Sequence, residues 1–176
     1  MRVNIHHKPV ALYASNNHRN GGSCMGNVDL TIAAYKQWMQ PLVDKYGSRL
    51  KVGSPAVTNG GSPMGLDYIK RFIAGCAGCQ IDFVPIHWYD SATNIQYFKN
   101  HIEAAYQAGG RRPIWITEFS PQGDAGQQIE FLKKVLPWLD SQDYVEKYAM
   151  FMATPGSLIK LDGSGLSNVG EAYITY

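Results

Sequence analysis

Residues 113–120 read Pro113-Ile114-Trp115-Ile116-Thr117-Glu118-Phe119-Ser120, an apolar run that ends abruptly in a carboxylate. An unbroken run of this kind is the signature of a strand buried in a parallel sheet. The C-terminal tips of such strands are where open and closed α/β sheets carry their chemistry. Glu118 therefore stands at a candidate reaction centre.

On both sides of this run, apolar stretches alternate with amphipathic ones. Further strands are predicted at 10–14, 50–57, 81–88 and 145–153, beside 114–119 itself. Between them lie four helical stripes. The first carries Tyr35, Trp38, Met39, Leu42, Val43 and Tyr46 on one face. Leu66, Ile69, Phe72 and Ile73 form the second; Ile95, Phe98, Ile102, Ala105 and Tyr106 the third. Ile129, Leu132, Val135, Leu136 and Leu139 form the fourth, with Asp124 placed as its N-cap. The order βαβαβαβαβ implies a parallel sheet with right-handed crossovers. Residues 156–176 read as a Gly- and Ser-rich loop followed by a short closing helix. Five βα units suit an open doubly wound sheet or part of a (β/α)8 barrel. A complete barrel needs about 250 residues, with roughly 200 as its lower end, and this chain has 176, read as one domain over 1–176.

Composition removes several function classes. Hydrophobic residues make up 45% and charged ones 17%, as in a globular chain with a core. Net charge is +2 with no run of Lys or Arg, which argues against a nucleic-acid partner. No apolar stretch approaches the roughly 20 residues of a membrane span. Residues 1–15 hold basic groups but only a short apolar stretch at 9–14, so no secretory signal is read there. There is no GxGxxG and no GxxxxGK[ST], which leaves nucleotide binding without a motif.

The remaining polar groups gather at strand tips. One strand runs into Ser54-Pro55-Ala56-Val57-Thr58-Asn59-Gly60 and the next into His87-Trp88-Tyr89-Asp90. By strand alternation His87 and Tyr89 share a face, and Glu118 shares one with Ile114 and Ile116. A strand-end Glu also serves to cap a helix or pair with an Arg, so convergence of these groups is an expectation for the fold to decide. Cys76-x-x-Cys79 is a redox pair, half a zinc site or a local disulfide. It closes a helix and precedes a strand, the reverse of a thioredoxin-like site. Zinc would need two more ligands, so the pair reads as structural. Cys24 makes the cysteine count odd, against a dense disulfide scaffold. His6, His7 and His18 read as surface residues, Gly21-Gly22 and Gly60-Gly61 as turn formers, and Trp38 and Trp138 as core. No metal or organic cofactor is indicated.

Taken together, Trp115-Ile116-Thr117-Glu118-Phe119, Ile81-Asp82-Phe83-Val84-Pro85-Ile86-His87-Trp88-Tyr89 and Gly53-Ser54-Pro55-Ala56-Val57-Thr58-Asn59-Gly60 resemble the alkali-sensitive linkage protein-like glycosyl hydrolase core, glycoside hydrolase family 128. Cys76-x-x-Cys79, Ser23-Cys24-Met25 and the tail from Leu161-Asp162-Gly163 to Gly170-Glu171-Ala172-Tyr173 extend the likeness over about 10–176. The resemblance implies a (β/α)8 barrel that hydrolyses β-1,3-glucan with retention, of which this chain would hold strands four to eight. It implies Glu118 as nucleophile, and His87, Trp88, Tyr89 and Asn59 as groups that contact sugar or orient Glu118. It implies an extracellular or cell-wall location and a β-glucan partner. Exposed sheet edges would favour self-association.

The chain departs from the family at the acid/base. Counting back from Gly21-Gly22-Ser23-Cys24-Met25, that position falls at Ser15 or a neighbour, none of them acidic, and no Asp or Glu precedes Asp29. Retaining hydrolysis uses two carboxylates about 5–5.5 Å apart, and a Ser cannot donate the leaving-group proton with a matched pKa. Asp90 and Asp124 are the candidate substitutes, but both are read in loops and neither matches a family catalytic position. Reduced or absent turnover, with a glucan-binding module or inactive fragment as the alternative, is the resulting expectation.

Overall fold

A computed structural model describes residues 26–176. The predicted strand at 10–14, His6, His7, Ser15, His18, Gly21, Gly22 and Cys24 lie outside them. Residues 28–46 form one helical rod: α1 (Val28–Ala34), a π-helical turn (Tyr35–Met39) and α2 (Gln40–Tyr46). Asn27 caps its start by accepting the amides of Asp29 and Leu30. The π turn sits just before Pro41, which has no N–H to donate, and the Gln40 amide reaches back to the Tyr35 carbonyl. Tyr35, Met39 and Val43 form the buried stripe. Trp38 does not join it and is 65% exposed, a correction to its reading as core. It lies one residue, about 100° around the helix, from Met39.

A short extended segment leads to α3 (Gly65–Gly75), which buries Tyr68, Ile69 and Phe72. Cys76 ends α3 and is disulfide-bonded to Cys79, so the pair is structural as read. Next come β1 (Val84–Ser91), α4 (Ile95–Ala108), β2 (Ile114–Gln122), α5 (Ala125–Asp140), β3 (Val145–Met150) and α6 (Asn168–Thr175). The strands are parallel in the order β1-β2-β3, so all three C-terminal tips lie at one end of the sheet. Asp124 caps α5 as predicted, in a reciprocal capping box with Gln127.

Among the described residues the sheet therefore has three regular strands, where the sequence suggested five parallel strands over the whole chain. Residues 50–57 run parallel to the outer edge of β1 but meet it and the residue just before it through two isolated bridges, Gly53 with Phe83 and Val57 with Ile86. Pro55 lies between those bridges and has no amide to give to a ladder, which breaks the pairing. The Gly53 bridge is also sterically tight. A Cβ there would lie 2.6 Å from the Phe83 ring, and that ring cannot retreat because it is stacked on Trp115 with centroids 3.7 Å apart. Gly53→Val is expected to lower stability by about 1–3 kcal/mol, read as a fall in the urea midpoint.

The core lies between the sheet and its helices. Trp88 packs against Phe98 of α4 and Phe131 of α5, with centroids at 5.0 and 5.5 Å, and Phe119 joins the same cluster. His101 on α4 is 7% exposed and its Nε2 has no hydrogen-bond partner among the described residues. Burial pushes this imidazole down to about 4 from the ordinary 6.5. Between those two values the unfolded chain binds the proton and the folded chain does not. Stability is thus full above about pH 6.5, falls as pH drops toward 4, and the loss reaches about 3 kcal/mol. His101→Leu is expected to flatten this slope in urea titrations run across that window.

Candidate active site

One irregularity in β2 decides which side chains meet. Ile86 pairs with Ile116, but the next residue of β1, His87, pairs with Glu118. Against β3 as well, β2 advances three residues from Ile116 to Phe119 while β3 advances two, from Tyr148 to Met150. Thr117 is the inserted residue of a bulge, a device that re-aims the side chains beyond it. Glu118 consequently leaves the face of Ile114 and Ile116, where strict alternation had placed it, and joins the face of His87 and Tyr89. Phe119 moves to the helix side and packs there with Phe98 and Tyr173.

His87, Tyr89 and Glu118 meet as a result. The Tyr89 hydroxyl donates to Glu118 Oε2, and His87 Nδ1 lies 3.4 Å from the same oxygen. Both contacts fall on Oε2, which leaves Oε1 as the oxygen not engaged by either. The Glu118 side chain is 25% exposed and that of His87 only 2%, so the carboxylate is reachable from solvent while its support is buried. Burial lowers the His87 pKa, with the Glu118 charge opposing. The Tyr89 phenol is raised, by burial first and then by its hydrogen bond to Glu118 and that group's charge. Tyr89 therefore remains a protonated donor across the working range.

The other expected site residues fall differently. Trp88 is fully buried on the opposite face of β1, against the helices. This corrects its assignment as a sugar contact, because alternation sends it away from His87 and Tyr89. Asn59 reaches the site's edge, but its amide bonds to the Tyr89 backbone. Asp90 accepts the Ser91 amide and the Asn94 side chain, and Asp124 is occupied in the α5 cap. Neither is built as a proton donor toward Glu118.

A further residue enters that the sequence reading had absorbed into a strand. β3 ends at Met150, and Phe151 and Met152 follow at its C-terminal tip, 41% and 44% exposed, with the Phe151 amide donating to the Phe119 carbonyl. The Phe151 ring meets Tyr89 edge-on at 6.1 Å. The available signal was position: an aromatic at the tip of the strand next to that of Glu118. Among the described residues no group of three or more His, Cys, Asp or Glu could hold a metal ion.

Comparison with known proteins places this geometry in context. The family model described as glycosyl hydrolase catalytic core matches residues 15–173. The chain is 33% identical over 173 residues to alkali-sensitive linkage protein 1 of Schizosaccharomyces pombe, covering 87% of this chain and 31% of that protein. A curdlan-specific exo-β-1,3-glucanase of family 128 from Blastomyces gilchristii, solved with glucose, is 42% identical with a TM-score of 0.75. That match covers 85% of this chain and 62% of the enzyme. A family 128 endo-β-1,3-glucanase from Amycolatopsis mediterranei, solved with laminaripentaose, is 27% identical with a TM-score of 0.69, covering 85% of this chain and 67% of that one. The chain thus spans less than two thirds of the Blastomyces enzyme and less than a third of the yeast protein. Its α/β architecture is that of part of a (β/α)8 barrel.

Proposed function

Because the chain belongs to the glycosyl hydrolase catalytic core family, we propose that it acts on β-1,3-glucan as a retaining glycoside hydrolase domain with Glu118 as nucleophile. The observation that carries this reading is the convergence of the Tyr89 hydroxyl and the His87 ring on one carboxylate oxygen at a strand tip. In that chemistry the carboxylate attacks the anomeric carbon, the bond to the leaving oxygen breaks as that oxygen takes a proton from a general acid or, where no acid side chain is present, from water, and a further water hydrolyses the glycosyl ester, which frees the Glu118 carboxylate. The Tyr89 hydroxyl holds Oε2, with His87 Nδ1 3.4 Å from it, and Oε1 is the attacking oxygen. Phe151, beside Tyr89, offers an apolar ring for a sugar face. With a cell-wall polysaccharide as substrate, the place of action is the cell wall or the extracellular space.

A specific observation favours a second reading, glucan binding without turnover. Residues 1–28 hold no Asp or Glu, and counting back from Gly21-Gly22-Ser23-Cys24-Met25 sets the family's acid/base position at Ser15 or a neighbour. Loss of acid–base help costs typically 10²–10⁴-fold. Reducing-sugar release from a soluble β-1,3-glucan, with oligosaccharide binding followed by calorimetry, separates the two. Release supports the hydrolase. Saturable binding with no release supports the binding module, and neither signal from a cooperatively folded chain removes both.

A further inference from the structure

We infer that Asn59 is a positioning residue that sets Tyr89, and through it Glu118, by standing in for a missing rung of the sheet. The inference rests on the reading of Glu118 as the reacting carboxylate. Residues 50–57 pair with β1 as far as the Val57–Ile86 bridge, where the His87 amide donates to the Val57 carbonyl at 2.7 Å. Beyond it the chain turns away, with the Met64 amide closing a turn onto Gly61. The backbone of Tyr89 would then face an open edge, and the Asn59 side chain fills that place. The Tyr89 N–H donates to Asn59 Oδ1 at 3.1 Å, and Asn59 Nδ2 donates to the Tyr89 carbonyl at 3.2 Å. A primary amide carries the same donor and acceptor as a peptide unit, so one side chain satisfies both backbone groups of one residue. The Tyr97 hydroxyl, from the first turn of α4, donates to the Asn59 carbonyl at 3.3 Å and ties the loop to the helix.

The consequence reaches Glu118 through Tyr89 alone. Tyr89 sits near the end of β1, and its hydroxyl must cross to β2 to meet the carboxylate. A strand tip released from its partner shifts, and a misplacement of about 1 Å at a reacting group can cost 10²-fold in rate. Asn59 touches the backbone of Tyr89 and the hydroxyl of Tyr97, not the carboxylate, so it acts by position. Both ends of its amide are engaged, which replaces the expected sugar contact with a different role.

The test follows the Tyr89 phenol directly. Protein labelled with ¹³C at tyrosine Cζ is compared with Tyr89→Phe, which assigns the signal, and with Glu118→Gln, which marks its position when the acceptor loses its charge. In Asn59→Ala the Tyr89 signal is expected to move toward the Glu118→Gln position, while tyrosines remote from Asn59 stay in place. Asn59→Asp keeps the size and the acceptor but sets an oxygen against the Tyr89 carbonyl. It is expected to move the signal the same way, and it decides the matter if the alanine variant does not fold. In turnover, kcat should fall by about ten- to a hundred-fold with KM little changed, and Asn59→Ala should cost nothing more in the Tyr89→Phe background. An unmoved Tyr89 signal in folded variants, or additive losses in the double variant, would overturn the inference. A wild type without turnover overturns the catalytic reading of Glu118 instead, and the Cζ signal then decides the positioning role by itself.

Discussion

Glu118→Gln is expected to lower reducing-sugar release from soluble β-1,3-glucan by about 10⁴-fold or more, the scale on which removal of a covalent nucleophile acts in other hydrolases. That is about 5.5 kcal/mol of transition-state stabilisation. Gln has nearly the shape of Glu and still accepts the Tyr89 hydroxyl through its amide oxygen, so the fold and the positions of Tyr89 and His87 should persist. What is lost is the negative charge that attacks the anomeric carbon and balances the developing oxocarbenium ion. Oligosaccharide affinity should change little, because the aromatic and backbone surfaces around the site are untouched. The measurement is initial rate at saturating glucan, wild type beside variant, with thermal unfolding as the control on folding. Equal rates from the two proteins would mean that release comes from another group, and Glu118 would lose its role.

The second large effect concerns stability. Trp88→Ala should cost about 3–5 kcal/mol, the range for truncating a fully buried aromatic side chain. Trp88 is fully buried against Phe98 and Phe131, and the space left by the indole is bounded by rings on two helices that are themselves held in the core. Collapse into that space is therefore limited. Trp88→Phe should cost far less, for two reasons. It retains most of the ring contact, and it removes a buried indole N–H that has no partner among the described residues. Urea titration of the three proteins reads both differences. A small loss in the alanine variant, together with weakened oligosaccharide binding, would restore the sugar-contact role that burial denies to this residue.

Most of the helical architecture was legible because it rests on local chemistry. The stripes of α3, α4 and α5 repeat at helical spacing, and Asp124 with Gln127 forms a cap that needs no tertiary partner. The two strands around the site were equally plain, since a strand buried on both faces must be apolar throughout. The 50–57 segment was harder. Its apolar run is genuine, but the bridges on either side of Pro55 depend on where β1 lies, which a local pattern does not contain. Trp38 was misplaced because an aromatic one step off a stripe looks, in one dimension, like part of it.

The residues of the candidate site were visible in the sequence as types: a carboxylate closing an apolar run, and His-Trp-Tyr closing the preceding strand. Their arrangement was not. Alternation counted along β2 sends Glu118 toward Ile114 and Ile116, and only the pairing of β2 with both neighbours shows that Thr117 is an inserted residue. Asn59 likewise showed an amide at a strand tip without showing what the amide would hold. Composition, caps and periodicity are properties of one segment and can be read from it alone. Register, bulges and side-chain amides that complete a sheet are relations between segments, fixed when the strands pack together. For this protein, those relations bring one carboxylate, one phenol and one imidazole to the same oxygen.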